Sequence, residues 1–103
     1  MPDLNDITAR LLAVFPQATR IVLFGSRARG SAREDSDVDL LIVTPSELRP
    51  MQRGVKARLA LYGTGLAFDL IVLTPDEYAR EKEFAGGVVA TAAGEGRVLH
   101  EAA

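Results

Sequence analysis

The 103-residue chain contains no cysteine and a single histidine, His100. Without thiolates there is no disulfide and no zinc site built on sulfur. That absence suits a reducing compartment, and a cytoplasmic location is expected. An excess of positive charge is also missing: 12 Lys and Arg stand against 14 Asp and Glu, a net charge of −2. General nucleic-acid binders are usually basic, so direct nucleic-acid binding is not expected. No apolar run approaches the ~18 residues that span a membrane. The opening "MPDLNDITARLLAVFP" carries acids where a secretion signal carries bases. Internal repeats, low-complexity tracts and linkers are absent too. What remains is an ordinary globular composition, 48% hydrophobic and 25% charged, of a size for one domain spanning 1–103.

Hydrophobic periodicity orders the elements. Leu4, Ile7, Leu11, Val14 and Phe15 fall at helical spacing, with Asp3 or Asn5 available as a cap and Pro16 as a stop. "RIVLF", 20–24, reads as a buried strand broken by Gly25-Ser26. Residues 27–33 can form a turn or two of helix, and "EDSD", 34–37, a polar loop. "DVDLLIV", 37–43, is a second strand. From about Pro50 to Leu61 the pattern is helical, with Met51, Val55, Leu59 and Ala60 on one side and Arg and Lys elsewhere. "YGTG" ends it. "AFDLIVL", 67–73, is a third strand. "TPDE", 74–77, is a capping box with proline at the first helical position, opening a helix to about Phe84. "VVATAAG" is expected to be another short helix and "GRVLHE", 96–101, a last edge strand. The class is therefore α/β or α+β, a small mixed sheet of three to four strands flanked by helices.

Two acids stand out of this pattern. Residues i and i+2 of a strand point the same way, so Asp37 and Asp39 share a face at the mouth of the second strand. Val38, Leu40 and Ile42 face the other way. Two carboxylates so placed repel each other unless water or a cation intervenes. An all-oxygen donor set suits Mg²⁺, and paired metal ions can activate one oxygen and stabilise another in a phosphoryl displacement. Asp69, the one acid inside the third strand, reaches the same place if the two strands are neighbours. Gly25-Ser26 supplies the opposite half. Glycine lets the backbone approach a ligand, helix-start amides favour an anion, and the Ser26 hydroxyl can donate to a phosphate oxygen. Arg27, Arg29 and Arg33 lie close in sequence and can meet other phosphate oxygens. The set suits a nucleoside triphosphate with Mg²⁺. It is not a P-loop: Gly25 to Gly30 gives GxxxxG, but Ser31-Ala32 follows where Lys-Ser/Thr is needed.

Gly25-Ser26, ten intervening residues, then Asp37-Val38-Asp39 resembles the GS-x10-DxD signature of the DNA polymerase β-like nucleotidyltransferases. "GSRARG…SDVDLLIV" is closer still to the minimal nucleotidyltransferases, small partners of HEPN-domain proteins in toxin–antitoxin pairs. The resemblance implies that Asp37, Asp39 and Asp69 bind two Mg²⁺ ions and that Asp69 takes the proton from the acceptor hydroxyl. It implies that Gly25 and Ser26 hold the triphosphate of ATP, with Arg27 and Arg29 beside them. The reaction it implies moves AMP onto a hydroxyl and releases pyrophosphate. In the antitoxin members the acceptor is a tyrosine of the cognate HEPN toxin, whose RNase activity is thereby blocked, so a hetero-oligomer is expected. The chain has no evident acceptor-binding domain of its own, which fits an acceptor brought by a partner.

Other readings stay open at this point. Asp37 can simply cap a loop, Asp69 can pair with an arginine at a sheet edge, and Gly25-Ser26 can be an ordinary turn. The three arginines can be solvated surface charges. The chain can be a binding module that neutralises its partner by masking a surface, or it can serve a small-molecule acceptor in a shared dimer cleft. His100, on an edge strand, is not expected to act in catalysis. Tyr62 and Tyr78 read as packing or surface positions.

Overall fold

A computed structural model of the chain describes residues 2–33 and 36–102. The elements in chain order are α1 (Leu4–Val14), β1 (Arg20–Phe24), α2 (Gly25–Arg29), β2 (Val38–Val43), α3 (Pro50–Ala60), β3 (Phe68–Leu73), α4 (Pro75–Glu81), α5 (Val88–Glu95) and β4 (Arg97–Glu101). Of the expected loop "EDSD", Glu34 and Asp35 lie outside the described residues, and Ser36 and Asp37 lead into β2 without regular structure.

The strands form one sheet in the order β3-β2-β1-β4. β1 pairs antiparallel with both β2 and β4, whereas β2 and β3 run parallel. A parallel pair needs a crossover, and α3 provides it. Both faces of the central strands are covered. On one face Ile21, Leu23, Leu40 and Ile42 pack with Ile7 and Leu11 of α1 and with Ala57 and Leu61 at α3. On the other, Val22, Phe24, Leu41 and Val43 pack with Val89 and Ala92 of α5. Burial on both sides is why "RIVLF" and "LLIV" read as unbroken apolar runs. Each fully buried Leu or Ile here contributes roughly 1.5–3 kcal/mol.

Local chemistry sets the boundaries. Asp3 caps α1, its carboxylate accepting from Asp6 N at 3.0 Å, and the chain leaves the helix just before Pro16. The expected capping box opens α4: Glu77 N donates to Thr74 Oγ1 at 3.3 Å and Thr74 N to Glu77 Oε1 at 2.8 Å. That helix stops at Glu81, short of Phe84, and turns carry the chain onward.

The face that α3 buries is not its apolar row. Met51, Val55 and Leu59 face outward, 82%, 52% and 70% exposed, and the row that turns inward is Arg53, Ala57 and Leu61. The reason is an ion pair with the length to reach across. The Arg53 guanidinium, 2% exposed, donates to Glu77 Oε1 at 2.6 Å, to Glu77 Oε2 at 3.1 Å and to the Val72 carbonyl at 3.1 Å. A buried cation is tolerated when it is paired and hydrogen-bonded in this way. Arg53 Nε has no partner among the described residues, so the pairing there is close to complete but not full. The short side chain of Ala57 lets the helix lie against the sheet beside this pair.

Candidate active site

β1 delivers the chain into the site. It ends at Phe24, and Gly25 turns the backbone at φ +72° to start α2 at once. The residue must be glycine for two separate reasons. Few side-chain-bearing residues adopt that φ without strain. A Cβ there would also collide with the Asp39 carboxylate, whose Oδ2 occupies the space and whose Cγ would be 3.0 Å away. Phe24 and Asp39 are paired across β1 and β2, which is what brings that carboxylate over the strand end. The short helix α2 ends at Gly30, whose left-handed conformation (φ +76°) returns its N–H to the Ser26 carbonyl. Ser26 itself is half-buried beside Gly25.

The second and third acids follow from register. Asp39 of β2 and Asp69 of β3 are Cα partners in the parallel pair. Neighbouring strands lie about 4.8 Å apart, and partners at one register project from the same face. That face is the one bearing Leu41, Val43 and Ile71. Asp37 stands one residue before β2, two positions from Asp39, and is exposed. Asp69 is exposed on the edge strand, while Asp39 sits deeper. The Asp39 carboxyl is held above its ordinary range, first by burial, then by the negative charges of Asp69 and Asp37, with Arg29 opposing. Among the described residues no group of three His, Cys, Asp or Glu side chains is placed so that it could hold a metal ion. Asp39 instead feels the charges of both Asp69 and Asp37 at one end of the sheet. Their all-oxygen chemistry and their mutual repulsion, which Arg29 only opposes at Asp39, suit a hard divalent cation.

The loop before Asp37 is tethered on both sides. Arg27 donates from Nε at 3.1 Å and from Nη2 at 2.6 Å to the Ser36 carbonyl. Arg33 N donates to Ser36 Oγ at 2.8 Å. Val38 N donates to the Ala67 carbonyl at 2.9 Å. The chain on either side of Asp37 is therefore held. The expectation placed Arg27 among phosphate-binding groups, and the structure directs two of its N–H groups to this loop. Arg29 and Arg33 are exposed, and Arg29 is the arginine that Asp39 senses.

The remaining singled-out residues lie elsewhere. His100 Nε2 is 3.1 Å from the Ala18 carbonyl on the edge strand β4. Tyr62 is exposed after α3, and Tyr78 packs against the Val22–Val43 cluster. Two features had no signal in the sequence. One is the Arg27 clamp, which depends on a loop folding back. The other is the Arg53–Glu77 pair, whose partners are 24 residues apart.

Residues 5–93 match the family model described as the nucleotidyltransferase domain. The chain belongs to the nucleotidyltransferase domain family. A solved structure classed as a minimal nucleotidyltransferase is 34% identical, with a TM-score of 0.57 over 92% of this chain and 94% of that one. A toxin–antitoxin complex crystallised with AMP-PNP contains a chain that is 20% identical, with a TM-score of 0.72 over 97% of this chain and 74% of that one. A complex of the tri-AMPylated Shewanella oneidensis HEPN toxin with its MNT antitoxin gives 21% identity and a TM-score of 0.62, over 99% and 74%. No curated protein sequence matches significantly. These likenesses place this nucleotidyltransferase with the minimal members of its family and agree with its fold, four strands in a mixed sheet between helices. No helix among the described residues is long and apolar enough to cross a membrane.

Proposed function

We propose that this nucleotidyltransferase transfers AMP from ATP to a tyrosine hydroxyl of a cognate HEPN toxin in the cytoplasm, acting as its antitoxin. The observation that carries the reading is the register of Asp39 with Asp69, with the Asp39 carboxylate lying against Gly25 at the end of β1. That register supports a deep and an edge carboxylate acting together beside the turn from β1 into α2. Asp37, Asp39 and Asp69 would hold two Mg²⁺ ions, which when bound supply charge neutralisation of the triphosphate. Gly25 and Ser26 present backbone N–H groups and a hydroxyl to the phosphates, and Arg29 adds positive charge on the same side.

The chemistry divides among residues by position. The acceptor oxygen forms a bond to the α-phosphorus as the α–β bridging P–O bond breaks, and pyrophosphate leaves. Asp69 receives the acceptor proton. It is suited to that step because it is exposed on an edge strand, where a protein hydroxyl can approach. Asp39, the deeper of the two strand acids, would be a metal ligand. Arg27 keeps Asp37 in place through Ser36. The HEPN acceptor is supported by the AMPylated toxin in the S. oneidensis neighbour, and the nucleotide by the AMP-PNP in another.

The test is ATP binding and transfer measured side by side. Asp69→Asn should keep Mg²⁺-dependent ATP binding and lose transfer to the purified HEPN protein. Transfer at the native rate in Asp69→Asn would remove Asp69 as the proton acceptor.

A further inference from the structure

The outward row of α3 has no role in the site described above. Met51, Val55 and Leu59 recur at i, i+4 and i+8 and are all exposed. Tyr62, 83% exposed, and Leu48 extend the row at each end. Rows of this spacing are the ridges by which one helix packs into the groove of another. A contiguous exposed apolar row on a small protein marks an interaction surface.

The charges beside it select the occupant. From Leu48 to Phe68 the chain carries no acid, and Arg49, Lys56 and Arg58 are exposed around the row. A second copy packed α3 on α3 would be related by a two-fold axis. It would set these cations against their own copies, which is unfavourable. The complementary surface is an apolar helical ridge bordered by carboxylates.

The row also leads to the chemistry. α3 feeds β3, and Arg58 Nη1 donates to the Phe68 carbonyl at 3.4 Å, one residue before Asp69. A shallow cavity of about 340 Å³ lies at this end, lined by Arg58, Leu61, Tyr62 and Phe68 among others. A protein seated along α3 thus lies at the β3 edge, on the face of the sheet opposite the Asp69 side chain, and meets Asp69 by reaching round that edge.

We propose that the α3 row is the docking surface for the acceptor protein, and that the acceptor meets it with an acidic-flanked amphipathic helix. The identity of that protein as a HEPN partner rests on the reading in the preceding section. The surface itself does not.

The experiment uses the full chain and the product of the gene adjacent to its own. Val55→Glu and Leu59→Glu each place a charge in the middle of the row, at positions that are exposed and outside the core. Affinity for the partner, measured by titration calorimetry, should fall about 30-fold or more. Thermal stability and Mg²⁺-dependent ATP affinity should stay at native values. Native affinity should weaken with added salt, and Asp39→Asn should bind the partner as the native chain does.

Native-like partner affinity in both charge variants would overturn the proposal, as would failure of the native chain to bind. A native dimer in sedimentation that Val55→Glu converts to monomer would make the occupant a second copy and also overturn it. So would retention on phosphatidylserine vesicles that Val55→Glu abolishes. The two readings separate cleanly. Binding lost in the variants with no transfer by the native chain leaves the docking surface standing and removes the activity. Transfer by the native chain with unchanged variant affinity does the reverse.

Discussion

Gly25→Ala tests the geometry of the site without touching any acid. The substitution has two costs. Alanine at φ +72° is strained by about 1–2 kcal/mol. Its methyl group also enters the space of the Asp39 carboxylate, and displacing that side chain from a packed position costs a further ~1–3 kcal/mol. The sum is about 2–5 kcal/mol, a large part of a small domain's stability. Asp39→Ala removes the obstacle and leaves the backbone strain. In that background Gly25→Ala should cost only about 1–2 kcal/mol. Urea unfolding of the four metal-free proteins measures the cycle, in which the coupling between neighbouring sites is read directly. Equal costs of Gly25→Ala in the two backgrounds would show that the carboxylate does not lie against Gly25, and the placement of Asp39 over the end of β1 would fall with it.

The Arg53–Glu77 pair sets an acid limit on stability. The Glu77 carboxyl is lowered from 4.5 to about 2, chiefly by the Arg53 hydrogen bond and then by the Thr74 N–H. A depressed acid stabilises the fold above its unfolded pKa. That contribution, about 2–3 kcal/mol after allowance for partial exposure, should be lost as pH falls from about 4.5 towards 2. Chemical unfolding across this range should show the slope in the native chain and a smaller one in Glu77→Gln. Glu77→Ala should cost about 3 kcal/mol or more, because it strands a buried cation. Arg53→Met should cost less, because it leaves a carboxylate that water can reach. Arg27→Lys loses the two-pronged grip on Ser36 and should weaken Mg²⁺-dependent ATP binding about 10-fold while leaving metal-free ATP binding unchanged. Equal losses with and without Mg²⁺ would instead make Arg27 a phosphate contact.

Most strands and both ends of α1 were legible because their signals are local. "RIVLF" and "LLIV" are apolar runs closed by glycine or by Thr-Pro, and the capping box at Thr74 names its own partners. The alignment of Asp69 with Asp39 was not legible as such. The sequence placed both acids at corresponding depths in strands, but only pairing in parallel, at this register, makes them neighbours. The face that α3 buries was not legible, for a physical reason. Periodicity alone would send the apolar row inward, and here a bidentate ion pair holds Arg53 in that place and sends Met51, Val55 and Leu59 to the surface. That outcome is informative, since apolar residues sent outward in a helical row are what a partner would need. Arg27 shows the same limit at smaller scale. An arginine beside a phosphate-binding turn reads as a phosphate ligand, and its hold on Ser36 is visible only once the loop is in place.

AMP transfer by the acid cluster is the central claim. Incubating the chain with ATP, Mg²⁺ and the product of the adjacent gene, then weighing that product by intact mass spectrometry, tests it most directly. The native chain should give a mass gain in whole adenylate units, and Asp39→Asn none although that variant still binds the partner. An unmodified partner with the native chain, or one modified equally by Asp39→Asn, would contradict it.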